Sequence, residues 1–290
     1  MLVPNNPAVW IQDLIDYFVA QSPRNRLGRD MIRRAFDPPI VGFSSGGDAI
    51  FKEFVDHIGD FYLTPVRIYH KAFPAASLAT GDELTVISWV LPQTAETCAE
   101  QAEQTQRPAK SWVQVRQHGE AFNDALRKHV VQSLTAKGIH AVAPMNADFW
   151  SRSEQGPYAP CSNWSERHAA YASGLGTFGL SDGLITPRGK AMRTGSVVAR
   201  IAIHPTPRPY SDHHAYCLFY SNGTCGKCIP RCPVNAISEK GHDKKRCQQY
   251  TEVKMPQFSK DAYGIEVPAC GLCQVDIPCM RSIPKPEDGK

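Results

Sequence analysis

Apolar residues recur at helical spacing in three segments, residues 7–21, 48–57 and 119–138. Within each segment they repeat every three or four positions, so one face of a helix would be apolar. These faces comprise Trp10, Ile11, Leu14, Ile15, Phe18 and Val19; Phe51, Phe54 and Val55; and Phe122, Leu126, Val130 and Leu134. Asn6 suits the cap of the first helix, and Gly138 suits the end of the third. The pattern predicts three helices packed on a core.

Runs of β-branched and aromatic residues alternate with these helices. The clearest is LTVISWVLP, Leu84 to Pro92, which is apolar on both faces and ends in proline. Shorter runs occur at PPIVGFSS, at HAVAPMN from His140 and at SVVARIAI from Ser196. The rhythm of strand, helix and strand predicts an α/β domain with a largely parallel sheet.

A polar and aromatic loop, residues 146–164, precedes a short predicted helix. Long loops inside compact domains are often functional. Asn163 and Glu166 have the spacing of a helix cap and its partner, and Gly174 would end the helix. Cys161 in the loop is either a reactive thiol beside a cofactor or a passive small apolar residue.

The helix runs into GLGTFG, which contains Gly174, Gly176, Thr177 and Gly179. This order, helix before glycines before strand, is the reverse of a Rossmann loop. Two interpretations stay open: a tight turn whose glycines allow positive φ, or a close approach of the backbone to a flat or anionic cofactor.

A segment rich in proline and histidine, residues 204–216, marks a predicted boundary between two domains. We expect an α/β cofactor- and substrate-binding domain over residues 1–204 and a small domain over residues 205–290. His213 and His214 are interpreted as exposed linker residues.

Eight of the ten cysteines fall in this second domain. The run Cys225-x2-Cys228-x3-Cys232-Pro is typical of bacterial ferredoxins, in which the fourth cysteine ligates the other of two clusters. Applied here, the rule predicts two 4Fe–4S clusters in a ferredoxin-like domain. The first cluster would take Cys217, Cys225, Cys228 and Cys279, and the second would take Cys232, Cys247, Cys270 and Cys273.

Two other uses of these cysteines stay open. Structural zinc also uses Cys-x2-Cys pairs, but it does not explain Cys-x3-Cys-Pro. A disulfide framework needs an oxidising compartment. Cys279 is the least regular predicted ligand, because it follows Cys273 by six positions and Met280 stands where a proline is usual. One complete cluster beside a defective site is therefore a further alternative.

Composition narrows the class of protein. The chain has 290 residues, 42% of them hydrophobic and 21% charged, which suits a folded protein. Two thiolate-ligated clusters of about −2 each would bring the formal charge of +4 close to zero, which argues against strong binding of nucleic acid. The first residues show no export signal and no apolar run spans a membrane, so we expect a cytoplasmic protein.

Four blocks of the chain carry a resemblance to known proteins: residues 165–187 (SERHAAYASGLGTFGLSDGLITP), residues 189–198 (GKAMRTGSVV), the run from Cys217 to Pro233, and KKRCQQYT around Cys247. Together these blocks resemble the superfamily of epoxyqueuosine reductases and corrinoid reductive dehalogenases. The resemblance implies two clusters, a cobalamin held over the α/β domain close to one of them, and a low-potential donor such as ferredoxin or flavodoxin. It also implies a small-molecule substrate reduced at or beside the cobalt.

The chain departs from epoxyqueuosine reductases in two ways. The catalytic aspartate of that family has no counterpart at Ala159, Pro160 and Cys161, and the chain ends without the helical extension used towards tRNA. Binding of tRNA is therefore not expected.

Reduction at a carbon or a heteroatom also needs an acid. The candidate proton donors are Arg167, His168 and Tyr171 on the short helix, and Tyr158 in the loop, although helix packing and capping would explain the helix residues equally well. We expect an enzyme, a cobalamin-dependent iron–sulfur reductase. The alternative is a two-cluster electron carrier without cobalamin that donates to a partner such as a corrinoid protein.

Overall fold

A computed structural model describes residues 4–29, 31–156 and 158–289. The described α-helices are α1 Pro7–Gln21, α2 Ile50–Ile58, α3 Pro65–Ala72, α4 Ala95–Ala102, α5 Lys110–Gln114, α6 Glu120–Thr135, α7 Glu166–Ala172, α8 Leu218–Asn222, α9 Lys244–Gln248 and α10 Met255–Tyr263. The strands are β1 Ile40–Ser45, β2 Thr85–Pro92, β3 Ala141–Val142, β4 Arg152–Ser153, β5 Cys161–Ser162, β6 Thr177–Phe178, β7 Leu184–Ile185, β8 Met192–Ala199, β9 Ile237–Ser238 and β10 Gly241–His242. None of the helices within these ranges is both long enough and apolar enough to cross a bilayer.

Four strands form the main sheet in the order β1, β2, β8, β3, and every neighbouring pair is antiparallel. The prediction of a largely parallel sheet is therefore wrong. Strands β2 and β3 do run in the same direction, as their intervening helices suggested. However, β8 lies between them and pairs antiparallel with both, which is a split β-α-β arrangement.

Helices cover both faces of this sheet. On one face α1 and α6 pack over Ile87, Trp89 and Val197. On the other, α2, α7 and the segment around Tyr62 pack over Val86 and Val198. Because both faces are covered, all eight residues of β2 are buried, which accounts for its unbroken apolar run.

The predicted amphipathic helices are confirmed, and one predicted cap is wrong. The Asn6 side chain caps α1 by accepting from the N–H of Val9 at 3.2 Å. Helix α7 is capped by Ser165, whose Oγ accepts from the N–H of His168. Asn163 instead joins the two ends of the preceding loop, since its amide donates to the carbonyl of Phe149 at 2.8 Å.

The C-terminal part of the chain packs directly on the sheet layer. Residues 200–216 contain no helix or strand, and all of them are described. Beyond them, the backbone N–H of Lys190 donates to the carbonyl of Cys279 at 2.9 Å, and the Gln101 side chain donates to the carbonyl of Cys270 at 2.7 Å. These bonds place the last cysteines against the start of β8 and against α4.

Candidate functional site

Two groups of four cysteines line two cavities in the C-terminal part of the chain. A narrow cavity of about 20 Å³ is lined by the first cysteine set, Cys217, Cys225, Cys228 and Cys279. A larger cavity of about 270 Å³ is lined by the second cysteine set, Cys232, Cys247, Cys270 and Cys273. The cysteine run thus divides after Cys228, and the next cysteine, Cys232, lines a different cavity.

Short backbone turns between the cysteines determine which cavity each thiol faces. The N–H of Ile229 donates to the carbonyl of Gly226 at 2.8 Å, and the N–H of Cys232 donates to that of Ile229 at 3.1 Å, so the chain reverses between successive cysteines. The Cys232 sulfur accepts from the N–H of Ala236 at 3.1 Å.

Gly271 allows the loop of the second cysteine set to lie flat on Trp112. Its φ is +71°, and a Cβ at this position would lie 2.2 Å from Cζ2 of the indole ring. A 3-10 turn, Leu272–Gln274, follows and directs Cys273 into the cavity.

All ten cysteines are free thiols, so no disulfide framework is present. Burial raises the pKa of Cys228 and Cys270 to about 12, and that of Cys279 to about 11. Thiolates at these positions therefore need nearby positive charge. No three His, Cys, Asp or Glu side chains in the described ranges are placed to hold a single metal ion.

Lys190 lines both cysteine cavities. It is 3% exposed, and its ammonium donates to the hydroxyl of Ser181. Burial lowers the pKa of Lys190, but the surrounding thiolates, Cys279 foremost, more than offset this and raise it. The larger cavity is lined by four more basic residues, Arg116, Arg167, Arg193 and His242, and by the acidic Glu252.

A third cavity of about 570 Å³, which we call the aromatic cavity, lies at the N-terminal side of α7. The residues proposed from sequence as proton donors all line it, together with Cys161: Tyr158, Arg167, His168 and Tyr171. Its rings are in contact, with His57 stacked on Tyr158 at 4.4 Å and His168 at 4.8 Å from Phe54. His213 and His214, interpreted from sequence as linker residues, line it too.

Arg167 connects this cavity to the second cysteine set. It lines the aromatic cavity, the larger cysteine cavity and a charged cavity of about 340 Å³ that includes Arg127, Arg193 and Glu166. Its guanidinium donates to the backbone carbonyl of Asp182. A group bound among the aromatic rings would therefore share Arg167 as a neighbour with a group bound in the larger cysteine cavity.

The candidate proton donors differ in protonation. Burial and the adjacent charge of Arg167 lower the pKa of His168 to about 3, so its imidazole is neutral at pH 7. Burial raises the pKa of Tyr171, so its phenol keeps a proton that it can donate. Of the two, Tyr171 is the better acid donor at neutral pH.

Asp182 is a site residue that the sequence analysis missed. Its carboxylate accepts from Nδ1 of His242 at 3.0 Å and lies 3.9 Å from Nζ of Lys244. Burial opposes ionisation of Asp182, but these two basic groups outweigh it and lower the pKa. The residue has φ +56° in the loop between β6 and β7, and its Asp-Gly dipeptide is a turn signal that could have pointed to it.

The glycines of GLGTFG pack against protein. A Cβ on Gly176 would lie 2.3 Å from the carbonyl oxygen of Ile185, which belongs to β7, the strand paired with β6. A Cβ on Gly174 would lie 2.6 Å from the carbonyl oxygen of Pro207. Thr177 is buried and accepts from the N–H of Tyr216. Gly179 lines the narrow cysteine cavity. Of the residues proposed to bind a cofactor, Cys161 alone lines the aromatic cavity.

Two epoxyqueuosine reductases match part of the chain in sequence. The chain is 29% identical over 119 residues to an epoxyqueuosine reductase of Bacillus anthracis, a match that covers 39% of this chain and 29% of the relative. It is 30% identical over 132 residues to the epoxyqueuosine reductase of Synechocystis sp., covering 43% of this chain and 41% of the relative. The chain resembles the superfamily of epoxyqueuosine reductases and reductive dehalogenases.

This resemblance, predicted from four sequence blocks, is confirmed, although no family model matches the chain. The chain spans less than half the length of the two epoxyqueuosine reductases it matches. A catabolic reductive dehalogenase solved with 3-bromo-4-hydroxybenzoic acid is 16% identical with a TM-score of 0.51, over 96% of this chain and 37% of that one. At this identity the likeness concerns the fold alone. An epoxyqueuosine reductase solved with a tRNA stem loop has a TM-score of 0.47 and 16% identity, over 96% of this chain and 70% of that one.

Proposed function

We propose that the chain is an iron–sulfur reductase that carries one 4Fe–4S cluster on each cysteine set and reduces a small molecule in the aromatic cavity. The observation that supports it most is the division of eight cysteines between two cavities, four to each, in the crossed order typical of two-cluster ferredoxins. We place the clusters in a ferredoxin-like domain over residues 205–290, attached to an α/β domain over residues 1–204.

The residues around both cavities suit such clusters. Each set offers four free thiols, the donor set that a cubane requires. Lys190 beside both sets, and the basic residues of the larger cavity, supply positive charge against the negative charge of a thiolate-ligated cluster. When bound, the clusters would supply one-electron transfer from a low-potential donor such as ferredoxin or flavodoxin.

A cobalamin is the cofactor we propose for the aromatic and charged cavities. The two cavities share the lining residues Ser162, Ser165 and Arg167, so they are neighbours, and the volume of each lies within the roughly 300–1,000 Å³ of ligand pockets. A B12-dependent mechanism is named for a reductive dehalogenase in this superfamily. When bound, cobalamin would supply a strongly nucleophilic metal centre.

The chain's own side chains would act on the substrate and the ring edge. Arg167 and Lys244 can pair with anionic groups. The ammonium of Lys244 donates to the carbonyl of Tyr158 at 3.0 Å and lies 3.9 Å from the carboxylate of Asp182. Tyr171 can donate a proton to the reduced product, while the neutral His168 fixes the ring packing around Phe54 and Phe178. The GLGTFG turn, residues 174–179, contains β6 and leads into its partner strand β7, next to these side chains.

One experiment tests both parts of the proposal. Anaerobically purified protein should contain about eight irons and take up about one equivalent of added cobalamin. Cys161→Trp, which fills the aromatic cavity, should reduce cobalamin uptake without loss of iron. Lys52→Trp, at an exposed position of α2 outside the cavity, is the matched control.

The result also decides between enzyme and carrier. The packing of Gly174 and Gly176 against protein favours the second candidate, a two-cluster electron carrier without cobalamin. Eight irons with no cobalamin uptake would support the carrier and refute the enzyme. Iron bound at only one set, or at neither, would refute both.

A further inference from the structure

Lys190 is a buried cation without a carboxylate partner among the described residues. It is 3% exposed, and the hydrogen bond of its ammonium goes to the neutral hydroxyl of Ser181. An unpaired buried charge is strongly destabilising. The positive charge of Lys190 must therefore be balanced by negative charge, which the surrounding thiols can carry as thiolates when they hold metal.

The surrounding backbone fixes this side chain in place. The Lys190 stem fills the space above Gly183, where a Cβ would lie 2.4 Å from Cε. The Lys190 N–H bonds to the carbonyls of Cys279 and Met280 at 2.9 and 3.1 Å, which ties the residue to the end of the first cysteine set. The same side chain lines the cavity of the second set.

From this geometry we infer that Lys190 is a shared counter-cation that sets the reduction potentials of both clusters. The inference rests on the proposed function, since it needs a cluster on each cysteine set. Reduction adds one negative charge to a cluster, and a nearby buried cation stabilises that charge more strongly than it would in water. Removing the cation should make both clusters harder to reduce.

Lys190→Met tests the inference, because methionine keeps the length of the stem and removes the charge. Lys227→Met is the control: it removes the same charge next to Cys228, but from an exposed side chain that solvent screens. Each protein is titrated anaerobically, and the reduced paramagnetic signal of each cluster is followed against potential. Iron content is measured on the same samples.

We expect both midpoint potentials of Lys190→Met to shift to more negative values, and those of Lys227→Met to stay near wild type. A shift confined to one cluster, or no shift beyond the control, would overturn the shared role while leaving the proposed function intact. Wild-type protein without two cluster signals would instead refute the proposed function.

If Lys190→Met loses iron, Lys190→Arg shows whether the lost charge or the changed shape is the cause, because arginine restores the charge. Iron recovered to about eight per chain would support a counter-cation that both clusters require. Iron as low as in the methionine variant would overturn the inference, because the position would then be sensitive to shape and not to charge.

Discussion

Gly271→Ala should selectively damage the second cysteine set. Alanine at φ +71° costs about 1–2 kcal/mol in the left-handed region. Its methyl group would also lie 2.2 Å from the Trp112 ring, and overpacking of this kind costs about 1–3 kcal/mol. Trp112 is 4% exposed and packed in a hydrophobic cluster, so its ring has no space to rotate away from the added methyl group. The loop that carries Cys270 and Cys273 must therefore shift.

Gly264→Ala is the matched control, since Gly264 also has φ +71° but a Cβ there would meet nothing within 4 Å. The two variants share the backbone strain and differ only in crowding. We expect Gly271→Ala to melt about 2–10 °C below Gly264→Ala, from about 1–3 kcal/mol of crowding in a chain of this size. Anaerobic thermal melts and iron assays at one heating rate provide the comparison, because loss of clusters is irreversible.

A double-mutant cycle separates crowding from strain. In a Trp112→Ala background, the further drop in melting temperature caused by Gly271→Ala should fall to that of the control, so that the difference of about 2–10 °C disappears. Equal melting points and equal iron contents for Gly271→Ala and Gly264→Ala would refute the reasoning.

Three further predictions concern the rest of the chain. Arg127→Met leaves the carboxylate of Glu166 buried without its cation, so we expect a loss of about 3–5 kcal/mol in unfolding free energy. Lys260→Met, in an exposed and solvent-screened pair with Glu266, should cost far less, and similar losses for the two variants would contradict this. The pKa of His168 is about 3 when folded and near 6.5 when unfolded, so the unfolded chain binds more protons in this window and stability should fall by about 1 kcal/mol as pH drops from 7 to 5.5. His168→Gln should flatten that slope in short thermal melts, and an unchanged slope would count against burial of a neutral ring. Binding of a tRNA stem loop should be weaker than micromolar at physiological salt with a shallow salt dependence; nanomolar binding with a steep slope in a filter assay would overturn the expectation.

Local patterns predicted the parts of the fold that depend on local chemistry. The faces of α1 and α6 follow from apolar spacing, and the grouping of cysteines around two cavities matches the spacing around Cys228 and Cys232. The antiparallel pairing of the sheet could not be predicted from local patterns, because it depends on β8, which pairs with β2 from about one hundred positions away. No periodicity in β2 or β3 indicates that another strand will lie between them.

Site chemistry was predictable only where residue type implies it. The cysteines and the residues of α7 stood out, but Asp182 did not, because its role comes from His242 and Lys244 across the chain. The cap of α7 illustrates the same limit. Asn163 and Ser165 are both good cap residues, and the tertiary contacts of the loop leave the cap to Ser165.

The position of β8 has a consequence for how the chain folds. Because β8 is central in the sheet but last of its four strands in sequence, β2 and β3 keep open edges until residue 199 has been synthesised. Pairing at such large sequence separation slows folding, and open edges invite aggregation. Lys190 and Ala191, the two residues just before β8, donate to the carbonyls of Cys279 and Met280, so closing the sheet prepares the surface on which the last cysteines dock. Pulsed hydrogen exchange during refolding should therefore protect β8 before the segment around Cys279, and the opposite order would exclude this sequence of events.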